Sequence, residues 1–165
     1  MPQCGARRAC GRRIGPDLDA ARGSPSYPAA RRGLFRSESV TDRRHHVLQG
    51  LRVLVVEDEM VVAMLLEDML LDLGCVVVGP ASRVDEALRL AENQAVDAAI
   101  LDVNVAGAEV YPVAAALKAR RIPFVFATGY GTIGLRDEYR GTPTVQKPFR
   151  QDELARSISA ALAQP

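Results

Sequence analysis

Glu57, Asp58, Asp102, Thr128 and Lys147 each stand at the carboxyl end of an apolar run: LRVLVV before Glu57, VDAAIL before Asp102, IPFVFA before Thr128 and TPTVQ before Lys147. Brought together, these types define a narrow chemistry. Two carboxylates about 4 Å apart repel by roughly 4 kcal/mol at an effective dielectric near 20, so three of them need a cation as well as the lysine. Oxygen donors without histidine or a nearby cysteine favour a hard divalent ion, Mg²⁺ first among them. A carboxylate, Mg²⁺, a lysine and a hydroxyl make a receptor for a phosphoryl group. Asp102 is the expected nucleophile, forming an aspartyl phosphate while Mg²⁺ offsets the charge on the phosphoryl oxygens. Asp58 is the expected direct ligand and Glu57 one acting through water, while Glu59 serves the helix macrodipole. Thr128 can donate to a phosphoryl oxygen, and Lys147 can pair with Asp102 before transfer and with the phosphoryl group afterwards. Gly129, lacking a side chain, leaves room for a bulky donor. Singly, each residue has a blander reading: a strand-ending aspartate, acids in a first helical turn, a strand threonine, a solvated lysine beside proline.

The elements that must position these residues follow from periodicity. Short apolar runs alternating with helix-like stretches read as parallel strands of an α/β sheet, whose chemistry lies beyond the strands' carboxyl ends. LRVLVV is strand one, and Met60, Ala63, Met64, Met69, Leu70 and Leu73 form an apolar helical stripe that Gly74 stops. Cys75 to Val78 gives strand two, cut by Gly79-Pro80, with Ser82 placed to cap a second helix through Asp85, Ala87, Leu88 and Ala91. Val96 to Asp102 is strand three, followed by a loop over 103–107 and a third helix to about Arg120. Residues 122–127 form strand four, 132–139 a short fourth helix, 143–146 strand five and 151–163 the last helix. Such alternation implies a doubly wound, flavodoxin-like five-stranded parallel sheet, order 2-1-3-4-5, with five helices. Its switch point, between strands one and three, puts Glu57, Asp58 and Asp102 in one crevice with Thr128 and Lys147 on the far side.

Charge divides the chain. Residues 1–46 carry ten arginines against four acids, so a formal net charge of +1 combines a basic arm of +6 with an acidic remainder of −5. The arm is rich in Arg, Gly, Pro, Ala and Ser, lacks periodicity, and is expected to be a disordered extension; residues 51–163 form the folded domain. A nucleic-acid arm, a zinc site from Cys4, Cys10, His45 and His46, a targeting peptide and upstream coding sequence are competing readings of it. The arginines lack interleaved aromatics, the cysteine spacing departs from compact zinc knuckles, and Asp17 and Asp19 are foreign to a transit peptide, which favours a functionally neutral extension. An odd cysteine count, no membrane-length apolar run and no secretory signal point to a cytoplasmic protein.

LRVLVVEDE, AAILDVNV, FATGY and VQKPF resemble, in order and spacing, the four signature segments of the response regulator receiver domain of two-component signalling, over residues 51–163. The resemblance implies phosphorylation of Asp102 by a histidine kinase or histidine phosphotransfer protein, with Mg²⁺ held by Asp58, Asp102 and the Asn104 backbone carbonyl. It also implies a cis peptide at Lys147-Pro148 that aims the lysine. PFVFATGY is similar to the stand-alone receivers of alphaproteobacterial stress-response phosphorelays. One position departs from the family pattern: three residues before the lysine many receivers carry an aromatic switch residue, and here Thr144 stands there. Tyr130 is the available substitute, its alternative role being to pack on the short fourth helix.

With Pro165 directly after the last helix, no DNA-binding or catalytic output domain is expected, so the receiver would act by docking through helix four, strand five and helix five, or by onward phosphoryl transfer. No direct DNA or membrane binding is expected, a monomer or transient dimer is, and catalysis is limited to Mg²⁺-dependent self-phosphorylation and autodephosphorylation. Two alternatives stay open: a phosphate-sink receiver, and a Mg²⁺-dependent phosphatase or phosphotransferase with an aspartate nucleophile. Against the second, enzymes of the haloacid dehalogenase type place an acid two residues after the nucleophile, where this chain has Asn104.

Overall fold

The computed structural model describes residues 47–129 and 135–164. The basic arm and Tyr130, with the readings made for them, lie outside these residues.

Strands β1 (Arg52–Val56), β2 (Val76–Ala81), β3 (Ala98–Asp102), β6 (Phe124–Thr128) and β7 (Thr144–Gln146) form one sheet in the order β2-β1-β3-β6-β7. Every pairing in it is parallel. This is the expected doubly wound order, the two extra strands β4 (Asn104–Val105) and β5 (Ala108–Glu109) forming a separate hairpin. The central strands are apolar at consecutive positions because helices cover both faces. Leu54, Val56, Leu101 and Phe126 pack with Ala87, Ala91, Val113 and Leu117, from α2 (Val84–Asn93) and α3 (Tyr111–Ala119). Alternate residues Val53, Val55, Ile100 and Val125 pack with Leu66, Leu70, Leu154 and Ile158, from α1 (Met60–Asp72) and α4 (Gln151–Leu162). Adjacent strand residues thus enter opposite cores, as a period of two requires.

Helix α1 buries Ala63, Leu66 and Leu70, while Met60 and Met64 of the expected stripe are 76% and 57% exposed. Its first half is apolar nearly all round, so periodicity alone could not select the buried face. The helix ends at Gly74 (φ +79°), whose N–H donates to Leu71 O, while Cys75 N–H donates to Leu70 O. The same pair of bonds ends α3, from Arg121 N–H to Lys118 O and Ile122 N–H to Leu117 O, with a left-handed arginine (φ +57°) in place of glycine.

Three local expectations need correction. Strand β2 does not stop at Val78: it continues through Gly79-Pro80 to Ala81, with one extra residue opposite Leu54–Val56. A proline is admissible there because β2 is an edge strand, and the bulge brings the Ala81 carbonyl to accept from Glu57 N–H at 2.9 Å. Ser82 does not cap α2; Arg83 holds the N-cap position, and Ser82 N–H donates instead to the Glu86 carboxylate at 3.2 Å. The short fourth helix is, in its described part, one 3₁₀ turn over Asp137–Tyr139, confined by extended backbone at Arg136 and Arg140.

The loop expected over 103–107 is largely the β4–β5 hairpin. Ala106 (φ +51°) and Gly107 (φ +80°) form its two-residue turn, both left-handed as a tight hairpin of this twist demands.

Candidate functional site

The carboxyl ends of β1, β3, β6 and β7 bring the five sequence-selected residues to one edge of the sheet. Asp102 closes β3 beside Ala127 of β6, and Thr128, the next residue, pairs with Gln146 immediately before Lys147. Lys147 N–H donates to Thr128 O at 2.9 Å, which fixes the start of the lysine relative to β6. Its peptide bond to Pro148 is cis, as the resemblance implies.

The Lys147 ammonium donates to Asp102 Oδ2 at 2.9 Å and to Glu57 Oε2 at 2.6 Å. The sequence anticipates the Asp102 bond but gives no sign of the one to Glu57. Glu57 is 2% exposed, and its other oxygen accepts from Glu59 N–H at 3.3 Å. Burial raises the Glu57 pKa, against the lowering effect of Lys147. Burial alone would lower the Lys147 pKa, but hydrogen bonds to the two carboxylates outweigh it and hold the ammonium above its ordinary value. Lys147 is therefore a fixed cation between two acids.

Asp58 completes the cluster, with one ligand oxygen each from Glu57, Asp58 and Asp102 lying within 4.8 Å of one another. Three carboxylates against one ammonium leave two negative charges in excess, which a hard divalent ion of Mg²⁺ type neutralises with oxygen ligands. The donor set fits such an ion. Asn104 lies on the first strand of the hairpin, two residues beyond Asp102. Val105 and Ala108 flank the two-residue turn, and Val110 N–H donates to Val103 O at 3.0 Å. Asn104 and Glu109 are thus the alternate, non-hydrogen-bonded pair, and the Asn104 carbonyl is left out of the ladder. Thr128 is buried at the end of β6, and among the described residues a Cβ on the neighbouring Gly129 would meet no atom within 4 Å.

The remaining residues singled out in the sequence divide. Pro148 is exposed next to the lysine, and Thr144 is half-buried with its hydroxyl donating to Thr142 O at 3.1 Å. Tyr139 is buried near the sheet edge that lacks the fifth-strand aromatic. It stacks on Tyr111 at 5.3 Å and meets Phe126 edge-on at 5.6 Å. Sequence reasoning missed this aromatic cluster and the residue that closes it, Arg136. The Arg136 guanidinium lies 4.3 Å from the Tyr111 ring centroid and pairs with Glu109. No local pattern marks these neighbours; the only signal in the sequence is a pair of tyrosines beside a proline and an acidic turn.

Among the described residues no helix is long and apolar enough to cross a membrane. Residues 53–159 match the family described as the response regulator receiver domain. The solution structure of SdrG from Sphingomonas melonis is 44% identical, with a TM-score of 0.63, over 70% of this chain and 98% of that one. The receiver domain of the sensor histidine kinase PA1611 from Pseudomonas aeruginosa, solved with a magnesium ion coordinated in its active-site cleft, is 26% identical, with a TM-score of 0.58, over 70% of this chain and 99% of that one. The transcriptional regulatory protein PdtaR of Mycobacterium tuberculosis is 32% identical over 116 residues, which are 68% of this chain and 57% of that protein. The chain thus spans little more than half the length of that curated relative.

Proposed function

The chain belongs to the response regulator receiver domain family, and from that premise we propose that it accepts a phosphoryl group from a histidine kinase or histidine phosphotransfer protein onto Asp102, as a stand-alone receiver in a phosphorelay. The observation that carries this reading is the Lys147 ammonium held 2.9 Å from Asp102 and 2.6 Å from Glu57 at the carboxyl edge of the sheet. An Asp102 oxygen attacks phosphorus in line with the P–N bond of the phosphohistidine. A P–O bond forms as the P–N bond breaks, and its electron pair returns to the imidazole. Lys147 then exchanges its bond to Asp102 for the phosphoryl oxygens while keeping Glu57, and the Thr128 hydroxyl donates to a second phosphoryl oxygen. Asp58, Asp102 and the Asn104 carbonyl, with Glu57 through water, would hold Mg²⁺, which would supply charge neutralisation for the group in transfer.

The output follows by docking or onward transfer. Phosphorylation biases a two-state element comprising the 137–139 turn, β7 and α4, with the Tyr111–Tyr139 stack in place of a fifth-strand aromatic. On the donor side, Met60, Val61, Met64 and Leu65 are exposed on the first turns of α1, which begins three residues beyond Glu57. An apolar surface bordering the acidic edge suits a helical phosphodonor whose histidine must reach Asp102. The test is incubation of the full chain with a phosphorylated histidine kinase and Mg²⁺. Label is expected on the wild type and none on Asp102→Ala; label on both, or on neither, overturns the assignment.

A further inference from the structure

Among the described residues, Arg136 in the segment that follows β6 grips the hairpin that follows β3. Arg136 pairs through its guanidinium with the Glu109 carboxylate. Its backbone N–H donates to the Tyr111 hydroxyl at 3.2 Å, and its guanidinium lies 4.3 Å from the Tyr111 ring centroid. Glu109 is the cross-strand partner of Asn104, and Tyr111 opens α3 two residues later. Arg136 therefore holds the hairpin from both its returning strand and the helix it feeds. Ala106 in the turn occupies a left-handed conformation that costs a non-glycine residue roughly 1–2 kcal/mol, so contacts from outside the turn help to hold the hairpin.

We propose that Arg136 is a positioning residue for the divalent ion: by clamping Glu109 and Tyr111 it sets the hairpin on which the Asn104 carbonyl is carried. The inference rests on the metal-binding reading of Glu57, Asp58 and Asp102, and on the Asn104 carbonyl as a ligand, proposed above. It gives Arg136 a role in ion affinity without touching the ion or the phosphoryl group. The salt bridge is exposed and the ring contact joins an exposed arginine to a buried tyrosine, each a modest interaction, so the effect expected from removing them is roughly three- to tenfold in affinity.

The experiment is a Mg²⁺ titration of the full chain, followed by amide NMR shifts of the β3–β4 residues and, separately, by the Mg²⁺ dependence of phosphorylation. Arg136→Ala is expected to weaken the apparent Mg²⁺ constant roughly three- to tenfold in both readouts, with the rate at saturating Mg²⁺ near wild type. The charge exchange Glu109→Arg with Arg136→Glu is expected to recover part of that affinity, and Arg136→Lys, which keeps charge but not the planar stacking, to fall between. An unchanged constant in a folded Arg136→Ala or Arg136→Lys protein overturns the proposal, as does a fall in the saturating rate alone. If the wild type itself shows no saturable Mg²⁺ response, the metal site reading fails instead, and with it this role for Arg136.

Discussion

Lys147 lies closer to Glu57 than to the aspartate it was expected to serve, 2.6 Å against 2.9 Å. Glu57 is buried, and its carboxylate depends on that ammonium for most of its compensation. Removing Lys147 leaves an uncompensated buried acid, which costs about 3–5 kcal/mol before the acid relieves itself by taking up a proton. Lys147→Met should therefore lower stability by that amount in metal-free buffer, and Glu57→Gln by less, because Asp102 still engages the lysine. Urea unfolding of the two single variants and the double variant checks this: a coupling of about 1–3 kcal/mol is expected, and additivity within about 0.5 kcal/mol would mean that the two residues do not act as a pair.

Arg121 tests the backbone rather than the site. It holds the left-handed position that ends α3, and the equivalent position after α1 is Gly74. Arg121→Gly relieves the left-handed penalty of roughly 1 kcal/mol at an exposed position while keeping every backbone hydrogen bond. Stability should rise by about 0.5–1 kcal/mol, or a few degrees in Tm. Thermal unfolding reads it directly, and a lower Tm would show that the arginine side chain stabilises more than its backbone strain costs.

Much of the fold was legible because it is written in continuous apolar runs, each ended by a polar residue. Val53 to Val56, Ala98 to Leu101 and Phe124 to Ala127 are short apolar runs that read as buried strands, so Glu57, Asp102 and Thr128 fell at one edge once the switch-point order was applied. What was not legible depended on long-range or unusual backbone choices. Gly79-Pro80 looks like a strand end but is tolerated inside an edge strand. A β-hairpin with alanine in the first turn position carries none of the usual Asn-Gly signal. The interactions of Arg136 with Glu109 and Tyr111 span more than twenty residues each, and no periodicity encodes them.

Acid should reveal the Arg52–Asp97 pair. Asp97 accepts from Arg52 Nε at 2.8 Å, Arg52 Nη2 at 2.7 Å and Arg52 N–H at 2.9 Å. The side-chain hydrogen bond from Arg52 is the main cause that holds the Asp97 pKa down to about 2 from 3.8. A folded value below the unfolded one means that the contribution is complete above about pH 4 and disappears as pH falls through about 2. Wild type should thus lose stability relative to Asp97→Asn across that window, the two unfolding curves converging toward pH 2. Curves that stay parallel from pH 5 to pH 2 would show that the pair contributes nothing pH-dependent.

The exposed apolar start of α1 separates docking from chemistry. Met60 and Met64 are 76% and 57% exposed, so neither supports the core, and both border the acidic edge through Glu57 and Asp58. Charge placed there should disturb only a partner that covers it. Met60→Asp with Met64→Asp is expected to slow phosphoryl transfer from a protein phosphodonor by at least about tenfold, the scale seen when a central apolar anchor of an interface is removed. Phosphorylation by a small-molecule donor such as acetyl phosphate should stay within about twofold of wild type, because that donor meets Asp102, Lys147 and Thr128 but has no helix to seat. Equal slowing with both donors would place the defect in the phosphoryl site itself. Equal retention with both would move the docking surface away from α1, toward the face that β7 and α4 present.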